Sequence, residues 1–203
     1  QTTTGTTLTK TGLTAGTSYI INIQSVNSSG NGGTASSVSF FTLPLAVTNL
    51  TPSNPQITTA DLTWTAAVGA TSYKMTTTPV STTQTTTGTA FTKTGLVGGT
   101  TYTFTVTSVN SSGEGGTVIS SASIVTRPAA VLNLTALNPQ NTSMGLSWSA
   151  SPSDILVTYT VTTTPVTTTQ TTTGTTLTKT GLSAGVLYTY YVLATNASGD
   201  GGT

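Results

Sequence analysis

In 203 residues the chain carries five Lys or Arg against four Asp or Glu, a net charge of +1, with no His and no Cys. Disulfides and thiolate metal sites are therefore excluded, and no basic stripe exists to hold nucleic acid or an anionic membrane surface. No apolar run approaches the roughly 18 residues that a membrane helix needs, so neither a nucleic-acid partner nor membrane insertion is expected.

Taken in order, the chain repeats itself: Gln1, Gln84 and Gln170 each open the string QTTTGT. A repeat of that length fits a small β-sandwich and is too long for the common helical and leucine-rich repeats. Within residues 1–43, Leu8 is expected in a short strand, Tyr19 to Val26 in a long one, and Val38 and Phe40 alternating in a last strand. No counterparts of earlier strands precede them. Residues 44–127 hold a full repeat. Val47 and Leu50 suit a first strand, Asn54-Pro55 a turn, Ala60, Leu62 and Trp64 a second strand with one buried face, and Tyr73 and Met75 a third. Thr76 to Thr89 would pass for low-complexity sequence by itself. It recurs in register at 162–175, so exposed strands and their turn are expected. Phe91 marks the next strand, and Ala122 and Ile124 a final one.

Residues 128–203 follow the same plan through Val131, Leu134, Met144, Leu146, Trp148, Tyr159, Val161, Leu177, Leu182 and Tyr188, without a final strand. Two extra residues fall within Ser149 to Ile155 and should lengthen a loop. Between repeats, Thr42-Leu-Pro-Leu-Ala46 and Thr126-Arg-Pro-Ala-Ala130 leave almost no linker, and proline stiffens both. Strands of about ten residues give units about 30–40 Å long, stacked end to end as a rod.

One stretch, Thr94 to Gly116, organises each repeat. Tyr102, Phe104 and Val106 alternate with Thr103, Thr105 and Thr107, the two-residue period of a strand with one buried face. Leu96 and Gly98-Gly99 precede the strand, and the glycine- and serine-rich run from Asn110 to Gly116 follows it as a hairpin loop. The same unit recurs as Leu13, Tyr19, Ile21, Ile23 and the loop from Asn27 to Gly33. It recurs again as Leu182, Tyr188, Tyr190, Val192 and the loop from Asn196 to Gly202, with the Leu-to-Tyr spacing unchanged.

These residues resemble the late strands of the fibronectin type III domain, TGL-x-x-GT-x-Y-x-F-x-V followed by N-x-x-G-x-G. In that family a tyrosine hydroxyl ties the turn back to the backbone. The resemblance implies an all-β fold of tandem antiparallel Greek-key β-sandwiches whose first and last domains are incomplete. Residues 1–43 would be the C-terminal part of one domain, 44–127 a complete domain, and 128–203 a domain lacking its last strand. Trp64 would fill the core position of the middle one. The sequence opens and closes inside repeats, and flanking sequence, rather than a strand lent by a neighbouring subunit, is expected to complete them.

Groups that carry chemistry are sparse. Asp61, Glu114, Asp154 and Asp200 are the only acidic side chains. Asp61, between inward Ala60 and Leu62, should face out. Glu114 and Asp200 fall at equivalent loop positions, with Asn31 in the first copy, and read as turn residues. Such a set supplies neither the six to eight oxygens of a calcium cage nor the carboxyl pair, about 5–10 Å apart, of a glycosidase. The SSGEGG loop joins two strands, with no helix behind it to cradle a phosphate. No catalytic, cofactor-binding or metal residue is assigned, no cofactor is expected, and the chain reads as a non-enzyme. Lys10, Lys93 and Lys179 are equivalent and are expected to be solvated edge residues that discourage strand pairing, a partner contact being the alternative. Six N-x-S/T sequons, at Asn27, Asn49, Asn110, Asn133, Asn141 and Asn196, are candidate N-glycosylation sites in an exported protein.

The in-register repeats, short linkers and uncharged threonine-rich surface are expected of a structural segment of an extracellular or cell-surface filament, stalk or adhesin. Its partners would be neighbouring repeats or other copies of itself in a fibre, with any surface or carbohydrate partner unidentified. Two alternatives come from other classes. A spacer or binding module of a secreted carbohydrate-active enzyme would call for exposed aromatic side chains to stack on sugars. A virion or tail-fibre decoration module is the other.

Overall fold

Alternation of apolar residues with threonine produces strands throughout, and no helix among the described residues. A computed structural model describes residues 1–115, 119, 120 and 122–202, with the backbone alone at 119 and 120. Gly116, the far end of the organising stretch, and Thr203 lie outside the described residues.

In the first segment the strands are β1 (Ser18–Ile23), β2 (Val26–Asn27), β3 (Gly30–Asn31) and β4 (Ser36–Phe41). β1 pairs antiparallel with β4, setting Tyr19 opposite Phe40 with ring centroids 6.2 Å apart. Leu8, expected in a strand, lies in none and is exposed. Its counterpart Phe91 is held by pairing with Leu62, and no such strand faces Leu8 among the described residues.

The middle repeat comprises β5 (Thr48–Ser53), β6 (Ala60–Thr65), β7 (Ser72–Thr78), β8 (Gln84–Thr86), β9 (Ala90–Lys93), β10 (Thr101–Asn110), β11 (Gly113–Glu114), β12 (Ile119–Ser120) and β13 (Ile124–Val125). One sheet runs β5-β6-β9; the other runs β11-β10-β7-β8, with β12 and β13 also on β10. The inward residues of both sheets meet in a single core of Val47, Ala60, Leu62, Trp64, Tyr73, Met75, Leu96, Tyr102, Phe104 and Val106. The Trp64 ring meets Tyr73 edge-on at 5.3 Å, a geometry favoured by the ring quadrupoles. The threonine-rich run after β7 is ordered as strand and turn, with β8 pairing back on β7. Ala122 falls between β12 and β13 rather than within a strand.

The third repeat has β14 (Leu132–Leu137), β15 (Ser143–Ser149), β16 (Thr158–Thr164), β17 (Gln170–Thr172), β18 (Thr176–Thr180), β19 (Thr189–Asn196) and β20 (Gly199–Asp200). Its sheets, β14-β15-β18 and β17-β16-β19-β20, copy those of the middle repeat, around a core containing Leu146, Trp148, Tyr159, Val161 and Val192. Tyr188 precedes β19, whereas Tyr102 lies inside β10. The difference follows from pairing: Thr101 and Tyr102 are fixed by Val125 and Ile124 of β13, and no strand faces Tyr188 in that way among the described residues.

All the large sheets are antiparallel. In both complete first sheets a register shift accompanies an asparagine at positive φ, Asn49 at 56° and Asn133 at 55°, where asparagine tolerates the left-handed region better than most residues.

Candidate functional site at the joints between repeats

The tyrosine that opens each long strand fixes one end of its repeat. Tyr102 is buried, and its hydroxyl accepts the Val97 backbone N–H at 3.0 Å. Tyr19 does the same for Thr14 at 2.9 Å and Tyr188 for Ser183 at 3.1 Å. A second set, not anticipated, joins Tyr73 to the N–H of Ala67 and Tyr159 to that of Ser151. Both sets rigidify loops at the ends of the sandwich, where neighbouring repeats meet.

Each linker is gripped from both sides. On its own repeat, the Thr126 hydroxyl donates to Val97 O at 2.7 Å and accepts the Thr100 N–H at 2.9 Å, while Gly99 N–H donates to Arg127 O at 2.9 Å. From the next repeat, Asn196 Nδ2 donates to Thr126 O at 2.9 Å and Ser198 Oγ to Val125 O at 2.5 Å. The first joint repeats this wiring. Thr42 Oγ1 donates to Thr14 O at 2.7 Å, Asn110 Nδ2 donates to Thr42 O at 2.8 Å, and Ser112 Oγ donates to Phe41 O at 2.6 Å.

The gripping loop is preorganised. Asn110 Oδ1 accepts the N–H of Ser112, and Asn196 Oδ1 that of Ser198, both at 2.9 Å. Asn27 and Ser29 close the same turn at 2.9 Å in the first segment. Glycine follows because backbone approaches backbone: a Cβ on Gly201 would lie 2.3 Å from Pro128 O, and one on Gly115 2.8 Å from Pro44 O. With Asn110, Asn196 and Thr126 buried, these polar groups are paired inside the joint, as buried polar groups must be.

Other sequence candidates fall elsewhere. Asp61 faces outward and accepts from Asn54 Nδ2 at 2.8 Å and Thr92 Oγ1 at 2.7 Å, which hold its carboxyl below the ordinary aspartate value. Glu114 pairs with Lys74 across β10, and Asp200 accepts from Thr195 Oγ1. Among the described residues, no three His, Cys, Asp or Glu side chains gather as metal ligands. Among the described residues no helix is long and apolar enough to cross a membrane. Trp64 and Trp148 are 6% and 5% exposed, so neither indole offers a face to a sugar.

The expectation of solvated lysines is corrected for two of the three. Lys93 and Lys179 are fully buried, because each shares the inward face of its strand with Phe91 or Leu177. The Lys93 ammonium reaches Thr94 O at 2.8 Å, and that of Lys179 reaches Thr168 O at 2.5 Å. Desolvation pushes both below the ordinary lysine value. Lys10 is exposed.

The six sequon asparagines divide by position. Asn27, Asn49, Asn133 and Asn141 are exposed, while Asn110 and Asn196 commit their side-chain nitrogen to a linker carbonyl in a buried joint. The joint role went unread in the sequence, although a signal existed. The N-x-S-G loops at Asn110 and Asn196 are each matched by a T-x-P linker one repeat upstream, at Thr42-Leu-Pro44 and Thr126-Arg-Pro128.

Comparison with known proteins followed the same division. The family model "Fibronectin type III domain" matches residues 45–125 and 129–203. Among solved structures, a two-fibronectin type III domain segment from chicken tenascin is 16% identical, covering 77% of this chain and 94% of that one, with a TM-score of 0.45. The FN1-FN3 domains of chicken CNTN1 are 13% identical, with 90% of this chain and 74% of that one covered and a TM-score of 0.35. The structure of FN3tt mut is 26% identical, over 41% of this chain and 97% of its own, with a TM-score of 0.37. No curated protein sequence matches.

Proposed function

The chain belongs to the fibronectin type III family, and from that membership we propose that it is a non-catalytic structural segment of an extracellular or cell-surface filament, stalk or adhesin. The observation that carries this reading is the duplicated joint. An asparagine and a serine of one repeat hold the carbonyls of the preceding linker in the same way twice over. A pair of independent binding modules has no need of so specific a seat, whereas an array that must hold its shape does. The outward Asp61, the ion-paired Glu114, and Asp200, held by Thr195, add support, as does the burial of both tryptophans, which withdraws the two indoles from the sugar-stacking alternative.

Immunogold labelling of intact source cells with antibody to residues 44–127 tests the proposal. Label along appendages or at the outer surface is expected. Label confined to the cell interior, or glycan hydrolysis by the purified protein, would overturn it.

The same reading narrows the modification sites. N-linked glycans, where the source organism makes them, belong on Asn49, Asn133 and Asn141 and not on Asn110 or Asn196. Glycopeptide mass spectrometry of the native protein decides it, and a sugar on Asn110 or Asn196 would contradict the joint.

A further inference from the structure

The two joints share their clamp but not all of their wiring. At the first, Gly16 lies directly against Gly69 of the next repeat, and a Cβ on Gly16 would come within 2.4 Å of Gly69 Cα. No hydrogen bond links those two loops among the described residues. At the second joint the corresponding loop, 150–157 against 66–71, is the one lengthened by two residues. Its Asp154 has no acidic counterpart in the middle repeat. The Asp154 N–H donates to Gly99 O at 2.7 Å, and its Oδ2 accepts the Thr101 N–H at 2.6 Å. Gly99 is packed so closely that a Cβ there would sit 2.0 Å from Pro152 O.

We propose that this lengthened loop is a lock: Asp154 fixes the second joint so that the middle and third repeats move as one body, while the first joint pivots about its clamp. The inference rests on the reading of the chain as an array segment. A clamp on the linker alone holds two bodies along one short line and leaves rotation about it. Asp154 attaches the third repeat to a different element of the middle one, the corner pinned by Tyr102, and a second attachment away from the first removes that freedom. The bond to Thr101 joins a carboxylate to a backbone amide, a stronger class of hydrogen bond than one between neutral groups. The shorter 66–71 loop also touches the equivalent corner, through Gly69 against Gly16, but the longer loop alone brings a carboxylate there, to the Thr101 N–H.

The absence of native cysteine lets two spin labels be placed without background, at the exposed and equivalent Thr85 and Thr171, in the full chain. The wild-type distance distribution between them is expected to be single and narrow. Asp154→Ala should broaden it about twofold or more, toward the independent motion that is the default between domains. Asp154→Asn, which keeps a side-chain carbonyl acceptor, should remain narrow. Thermal melts that coincide for all three proteins separate loss of the lock from loss of the fold. A wild-type distribution that is already broad overturns the lock, as does an Asp154→Ala distribution as narrow as wild type. Either result leaves the array reading standing, because flexible strings of repeats also make stalks and that reading is decided by the labelling of cells.

Discussion

Lys93 and Lys179 place an ammonium group under each sandwich without a carboxylate beside it. Desolvation lowers the folded-state pKa, so between that value and the unfolded value of about 10.4 the unfolded chain holds more protons. Stability therefore rises as pH climbs through that window and is lowest below it. Lys93→Met should stabilise the middle repeat at neutral pH, by on the order of 1 kcal/mol, and remove its part of the alkaline rise. Denaturant titrations of both proteins at neutral and alkaline pH measure this; a less stable variant, or an unchanged pH slope, would contradict it. Tyr102→Phe tests the corner. The Val97 N–H loses its acceptor, and a cost of about 1–3 kcal/mol is expected, visible as faster hydrogen exchange across β10. The corner was legible from the Leu96-to-Tyr102 spacing and its two copies. The lysines were not, because a charged side chain was given to solvent although Phe91 and Lys93 share one parity. Strand periodicity, with a stem long enough to carry the ammonium to a rim carbonyl, prevailed over charge.

At the scale of elements, strands were legible wherever one face alternated, as in β6, β7 and β10, and less so where order depends on a partner. Among the described residues no strand opposes Leu8, which forms none, and none opposes Tyr188, which stays outside β19. The joints were the least legible, since Asn110 and Thr42 are 68 residues apart and Asn196 and Thr126 are 70 apart. Serine, asparagine and glycine in a loop are also explained sufficiently by the turn they make. Two glycines separate the turn from the joint. Gly99 and Gly185 have nearly the same φ, 71° and 73°, but a Cβ at Gly185 would meet nothing within 4 Å. Gly185→Ala should cost only the left-handed backbone penalty, about 1–2 kcal/mol. Gly99→Ala should cost that and also force the middle and third repeats apart. Equal destabilisation by the two, with the spin-label distance across the second joint unaltered, would contradict a close-packed joint.

For the whole molecule, what matters is how little of the structure is charged. The linker clamps are made of amide, hydroxyl and carbonyl groups, and one ion pair, Lys74 with Glu114, spans the described residues. Salt acts on exposed charges over a Debye length of about 10 Å at 0.1 M and 3 Å at 1 M, and here it finds almost none. The radius of gyration by small-angle scattering should stay constant from about 0.05 to 1 M salt. A contraction or swelling with salt would mean that repulsion, not the joints, sets the length of the molecule.

Because the middle repeat carries both a gripping loop, at Asn110, and a linker that the next repeat grips, at Thr126, it holds a plug for the unit before it and a socket for the unit after it. A gene segment encoding one repeat, copied in frame at any boundary, would bring both halves of a working joint. Unequal recombination could lengthen or shorten such an array without inventing a new interface. The identity of QTTTGTTLTKTGL at 1–13 and 170–182 is the kind of trace that process leaves. The loop carrying Asp154 would then be a later edit, made in a single copy after the common joint already worked.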